Sequence, residues 1–330
     1  MTAQFPRNPE AFVPRRWLRG GHVQTVAAFL LKRRFNLPAP EERFVEVMPG
    51  VRVLCHCHWQ ADRTRPLTLI VVHGLEGSSD SQYVLGIAEK ALAAGMNVIR
   101  YNQRNCGGTD SLAPVLYNSS LSGDIAAVAR EVIARDRISQ LALVGFSMGG
   151  NLVLKLAGEW GAQAPPEFRA VVACCPAMDL APSADALHEP ANRVYELYFL
   201  WNLRRRMIRK ARLFPGHFDT SRMRGMRSLR DFDDRITAYY CGFAGADDYY
   251  ARASAANVVE RIAVPALILH AANDPFIRIT SETRRKIAAN SNIRFVEAED
   301  GGHCAFLGER NGLDDGHWAE QQIVEFLRRF

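Results

Sequence analysis

Short β-branched runs alternate with stretches of helical period along most of this chain. FVEVM (44–48) and VRVLCHCHW (51–59), separated by Pro49 and Gly50, predict an antiparallel hairpin at the edge of a sheet. LTLIVV (67–72) predicts a buried strand. A helical pattern over 81–95 precedes strand NVIRY (97–101), and another over 123–135 precedes strand LALVGF (141–146). That strand runs through GFSMGG (145–150) into the helical pattern NLVLKLAGEW (151–160), followed by strand AVVACC (170–175). Strand PALILHA (265–271), a helix near 281–290, strand IRFVEA (293–298) and a last helix from about Trp318 complete the pattern. Strands joined by helices need crossover connections, so the expected fold is α/β, a mostly parallel sheet flanked by helices.

Between the strands at 170–175 and 265–271 lie roughly ninety residues, far beyond an ordinary connection. They carry aromatic and basic clusters but no good strand, so the interval reads as an inserted helical cap over about 180–248. The strand-helix alternation resumes afterwards. That favours a single domain over 1–330, with about 1–40 as an N-terminal arm, against two domains split near 180.

With 330 residues, 48% of them apolar, the chain can bury a sizeable core. MTAQFPRNPEAFVPRRW lacks the apolar stretch of a signal peptide, and no later run approaches the ~18 apolar residues of a membrane span. A cytoplasmic location is the expectation. Seven cysteines, including the adjacent Cys174 and Cys175, read as reduced thiols. Cys55, His56, Cys57 and His58 resemble a metal box, but strand alternation sends the cysteines to one face and the histidines to the other. The net charge of +6 is concentrated: residues 203–230 hold ten Arg or Lys against the single acid Asp219. The remainder of the chain is net negative, and nucleic-acid binding is not expected.

G-x-S-x-G is a common pentapeptide that also suits a serine capping a glycine turn, so its setting decides. A nucleophile elbow needs a strand ending in a turn so tight that the serine's neighbours must be small, then a helix. LALVGF, Gly145 and Gly149, and NLVLKLAGEW supply these parts around Ser147. A serine hydroxyl is a weak nucleophile at neutral pH and needs an imidazole to take its proton and a carboxylate to orient that imidazole. Asp274 follows PALILHA by three residues, and His303 follows IRFVEA in EDGGHCAF, in the chain order expected of such a sheet. Asp179, past AVVACC, is the substitute acid. HGLEGSSD (73–80) follows LTLIVV where an oxyanion donor should arise, the N–H of Leu75, with the second from Met148. His73 then holds the turn. This chemistry needs no metal and no organic cofactor.

HGLEGSSDSQYV, NQRNCGGTD (102–110), GFSMGGN and GGHCAF together resemble the YheT-like branch of the α/β-hydrolases, a bacterial group related to eukaryotic abhydrolase proteins that act on medium-chain lipids. RWLRGGHVQTV (16–26) resembles the branch's N-terminal signature, and GFAGADDYYARAS (242–254) its segment after the cap. The match runs from about Trp17 to the last helix. It implies the α/β-hydrolase fold, the triad roles for Ser147, Asp274 and His303, and esterase activity on short or medium acyl chains. Arg278 in NDPFIR stands where the branch commonly has proline.

The expected function is hydrolysis of small-molecule or lipid carboxylic esters through an acyl-enzyme. The alternatives are an acyltransferase with an alcohol acceptor, and a lipid-binding protein of the same fold with a disabled site. Two readings hold for VYELYFLWNLRRRMIRKARL (194–213). Either Tyr195, Tyr198, Phe199 and Trp201 pack onto the core while the arginines form a solvated face, or the cap rests peripherally on an anionic membrane. His22 either lines the acyl pocket or anchors the N-terminal arm to the body, and the anchor is the simpler role.

Overall fold

The computed structural model describes residues 11–310 and 315–330, so the first ten residues of the expected arm lie outside the described residues. One sheet contains eight strands: β1 (Glu41–Met48), β2 (Val51–His58), β3 (Thr68–Val72), β4 (Asn97–Tyr101), β5 (Leu141–Phe146), β6 (Phe168–Cys174), β7 (Ala266–Ala271) and β8 (Ile293–Ala298). Their order is β1-β2-β4-β3-β5-β6-β7-β8. β2 runs antiparallel to both neighbours, and the pairs from β4 onward are parallel. The hairpin thus occupies one edge, as its alternation predicts.

The central strands are mostly apolar because helices cover both faces of the sheet. Ile70 and Val72 of β3 share a cluster with Ile125 and Val128 of α3 (Ser122–Asp136) and Leu152 and Leu156 of α4 (Met148–Trp160). Leu69 and Val71 face the other way, toward Val84 and Ile87 of α2 (Gln82–Ala93) and Ile323 and Phe326 of α11 (Trp318–Leu327). The same alternation separates the suspected metal box. Cys55 and Cys57 join the first cluster, whereas the His58 ring accepts from Arg100 at 3.1 Å and His56 meets the Ser79 hydroxyl at 2.9 Å.

Between β6 and β7 the chain leaves the sheet for α5 (Leu180–His188), α6 (Arg193–Leu213), α7 (Leu229–Phe232), a π-helical stretch at Asp233–Ala238, α8 (Tyr239–Cys241) and α9 (Ala246–Ala253). These pieces bury their own cluster, including Leu187, Leu203, Phe232 and Tyr249. Phe276 and Ile277, from the loop between β7 and α10 (Ser281–Ala289), join it at the carboxyl edge of the sheet.

α6 packs only part of its aromatic cluster onto the core. Tyr195 and Phe199 pack half-buried against Phe276, at ring separations of 5.3 and 6.2 Å, while Tyr198 and Trp201 are exposed. Arg205, Arg209 and Arg212 face solvent, but Arg206 and Lys210 are buried. The arm also holds a helix that the pattern did not single out, α1 (Gly21–Leu30). Its apolar Val23, Val26, Phe29 and Leu30 are exposed, so no core-facing stripe announces it.

Candidate active site

Ser147 sits between β5 and α4 with φ +54, a left-handed conformation that costs a residue with a side chain about 1–3 kcal/mol. Its N–H donates to the Cys174 carbonyl at 2.9 Å. The small neighbours are obligatory: a Cβ at Gly145 would stand 2.2 Å from the Gly149 carbonyl oxygen, and one at Gly149 2.3 Å from that of Val72. The turn feeds directly into α4, which starts at Met148, three residues earlier than the apolar pattern indicates.

The loops after β7 and β8 bring two predicted partners to this serine. His303 Nε2 lies 2.9 Å from Ser147 Oγ, and its Nδ1 lies 2.8 Å from Asp274 Oδ2. The other Asp274 oxygen accepts from the N–H groups of Phe276 and Ile277 at 3.1 and 3.0 Å. Burial works to raise the Asp274 pKa, but the facing His303 ring and the Ile277 N–H outweigh it and hold the carboxyl below its usual range. A carboxylate here makes Nδ1 the protonated nitrogen and leaves Nε2 free to accept the serine proton. The Phe276 ring lies 4.3 Å from the imidazole, a contact no motif signalled.

Asp179 is engaged elsewhere. It accepts from the Thr280 N–H and hydroxyl at 3.0 and 3.1 Å and from the Thr283 hydroxyl at 2.9 Å, fixing the start of α10. Arg278 donates from one guanidinium nitrogen to the Asp274 carbonyl at 3.1 Å and from another to Glu189 at 3.3 Å.

The N-terminal arm supports the histidine loop. The His303 N–H donates to Thr25 Oγ1 at 2.9 Å, and buried Gln24 exchanges hydrogen bonds with the backbone of Leu307. The approach is close enough that a Cβ at Gly302 would lie 2.5 Å from the Gly21 carbonyl oxygen. His22 is not among the residues that line the cavity and meets the Tyr195 hydroxyl at 3.0 Å, so it ties the N-terminal segment to α6 while Gln24 and Thr25 tie it to the body.

In the turn after β3, buried His73 donates from Nδ1 to the Gly74 carbonyl at 2.7 Å and accepts at Nε2 from the Gln103 N–H at 3.2 Å. Burial pulls its pKa down to about 4, so it is neutral. Leu75 and Met148 both line the cavity beside Ser147, and among the described residues their N–H groups have no protein acceptor.

Glu76, at φ +55, is clamped by the Tyr117 hydroxyl at 2.7 Å and by Arg206 at 2.9 and 3.3 Å. Arg206 also donates to the Asn105 carbonyl and to Asp110 at 3.2 Å. One turn on, Lys210 donates to Asn105 Oδ1 at 3.1 Å and to the Asp110 carbonyl at 3.0 Å. Burial, aided by the Arg206 charge, pulls the Lys210 pKa down to about 8. Their four-residue spacing on α6 was the only sequence signal for this inward pair.

The cavity, of about 100 Å³, is lined by Ser147 and largely by apolar side chains such as Leu180, Phe199, Leu203, Leu229 and Phe232. One acid, Asp233, lies in that wall, bonded to Tyr250 at 2.7 Å and Thr237 at 2.8 Å. Burial pushes its pKa up to about 6. No helix among the described residues is long and apolar enough to cross a membrane.

Residues 68–309 match the family described as alpha/beta hydrolase fold. "Putative esterase YheT" of Escherichia coli (strain K12) is 30% identical, over 97% of this chain and 93% of its own. "Phospholipase ABHD3" of Bos taurus is 28% identical over 80% of this chain, which spans only 62% of that relative's length. Among solved structures, the Pyrococcus furiosus esterase Pf2001 shares the fold with a TM-score of 0.59, at 14% identity over 98% of this chain and 99% of that one. With a family match across most of the sheet and a YheT match along nearly its whole length, the chain belongs to the α/β-hydrolases, in their YheT-like branch.

Proposed function

We propose that this protein hydrolyses carboxylic esters of short or medium acyl chains, or of lipids, through an acyl-enzyme on Ser147. The observation that carries the reading is the unbroken contact from Ser147 Oγ through His303 to Asp274, at 2.9 and 2.8 Å, beside an apolar cavity. The esterase and phospholipase names of the relatives support an ester as the substrate. The serine oxygen attacks the ester carbonyl as its proton passes to His303 Nε2, while Asp274 stabilises the imidazolium. The N–H groups of Leu75 and Met148 receive the charge that develops on the carbonyl oxygen. His303 returns the proton to the leaving alcohol, and water then repeats the sequence on the acyl-enzyme.

The described surface favours lipid esters presented at an anionic membrane. Exposed Val26, Phe29 and Leu30 of α1 adjoin exposed Leu197, Tyr198 and Trp201 of α6, the two helices meeting where Phe29 and Tyr198 stand 5.5 Å apart. Exposed Arg19, Lys32, Arg34, Arg205 and Arg209 occur along the same segments. Apolar side chains among cations suit the boundary between acyl chains and acidic headgroups.

A panel of p-nitrophenyl esters from acetate to palmitate, analysed with and without added alcohol, tests the activity. Turnover with free acid as product is expected. An ester product that dominates when alcohol is present would make the chain an acyltransferase, and no turnover of any ester would overturn the reading.

A further inference from the structure

Three thiols lie behind the histidine loop. Cys174 ends β6, Cys175 follows it, and Cys304 follows His303; the three sulfurs lie within 4.8 Å of one another. Metal–sulfur bonds of ~2.3 Å hold the sulfurs of one bound ion ~4 Å apart, so small side-chain rotations close this trio on a cation. All three are free thiols, and Cys304 is the one partly open to solvent.

Two more observations bear on the trio, in which the Cys175 and Cys304 thiols donate to the Gly302 and Cys174 carbonyls at 3.7 and 3.5 Å. The Cys304 N–H points at Cys175 Sγ, 3.4 Å away, the kind of backbone donor that steadies a metal-bound thiolate. Cys175 and Cys304 both hold left-handed backbone, φ +42 and +56, which aims the side chains of two distant segments at one point at some cost in strain. The neighbouring nitrogen matters as well. Cys304 Sγ lies 4.0 Å from His303 Nε2, and two ligands of one tetrahedral ion stand ~3.5 Å apart.

We propose that Cys174, Cys175 and Cys304 form a binding site for a thiophilic d¹⁰ cation, zinc or cadmium in class, and that an ion held there draws His303 Nε2 away from Ser147. Three S–H protons pass to solvent as three S–metal bonds form, and no electron changes hands. The site stands on its own geometry, whereas its effect on turnover rests on the ester-hydrolase reading.

Cadmium chloride titrated into the reduced full-length chain tests both parts, with thiolate-to-cadmium charge-transfer absorption and ester turnover read on the same samples. One equivalent should complete the absorption band. Turnover should fall about tenfold or more once free cadmium exceeds its Kd by that factor, and return on chelation. Cys304→Ala should keep its turnover and lose both the band and the inhibition, with Cys174→Ala as the second variant should the first fail to fold. Absence of the band at one equivalent overturns the site, whatever the activity. A band without inhibition, or equal inhibition of Cys304→Ala, overturns the link to His303. A disulfide in the chain as isolated, mapped by peptide analysis to two of Cys174, Cys175 and Cys304, would replace the metal site with a redox pair.

Discussion

Arg206→Met removes the guanidinium that joins α6 to the turn after β3. The Arg206 and Glu76 side chains are only 10% and 7% exposed, so this pair is not among the exposed bridges worth about 0–1 kcal/mol. Removing one partner of a buried pair strands the other charge and costs about 3–5 kcal/mol. Tyr117 still donates to Glu76 at 2.7 Å, which places the expected loss near the low end, about 3 kcal/mol. In urea, at about 3 kcal/mol per molar, the midpoint should fall by about 1 M without a change in slope. Adding Glu76→Gln removes the stranded carboxylate, so the double variant should lose clearly less than the two single losses combined. Because Glu76 follows Leu75, turnover of Arg206→Met should also fall, by up to about 100-fold, mainly through kcat. A midpoint within about 0.3 M of the parent, or strictly additive losses, would refute the claim that this ion pair fastens α6 to the turn.

Asp274→Asn should leave the thermal unfolding transition in place yet lower kcat by about 10⁴, the consequence of the wrong imidazole tautomer, whereas Asp179→Asn should turn over near normally. Stability should fall as pH drops from 6.5 toward 4. Burial pulls His73 and His58 down to about 4, so the unfolded chain takes protons there that the native state refuses. Asp233 opposes this, since its pKa, pushed up to about 6, lets the native state take a proton first. Asp233→Asn should therefore steepen the acid loss seen by chemical denaturation, and an unchanged slope would contradict it. Phe29→Ser with Trp201→Ser should weaken co-sedimentation with anionic liposomes at low salt. No binding by the parent protein would remove the membrane contact from the account.

Strands buried on both faces are apolar runs with sharp ends, which is why β3, β5, β6 and β7 could be read directly from the chain. Ser147, Asp274 and His303 could be grouped as candidates because each follows the carboxyl end of a strand of the parallel part of the sheet, where topology restricts what can meet. Other features gave no such signal. The apolar side of α1 faces outward, so its pattern matched no buried stripe. Arg206 and Lys210 sit in a basic run that resembles a solvated face, and their partners at Glu76 and Asp110 lie about a hundred or more positions away. Cys304 meets Cys174 and Cys175 from a similar distance in the chain, a pairing that only the packing of two loops creates.

The central claim is that Ser147 is the nucleophile, and covalent labelling by a fluorophosphonate probe tests it most directly. The account predicts one adduct per chain, located on the peptide that carries Ser147 and abolished in Ser147→Ala. An unlabelled parent protein, or equal labelling of Ser147→Ala, would contradict it.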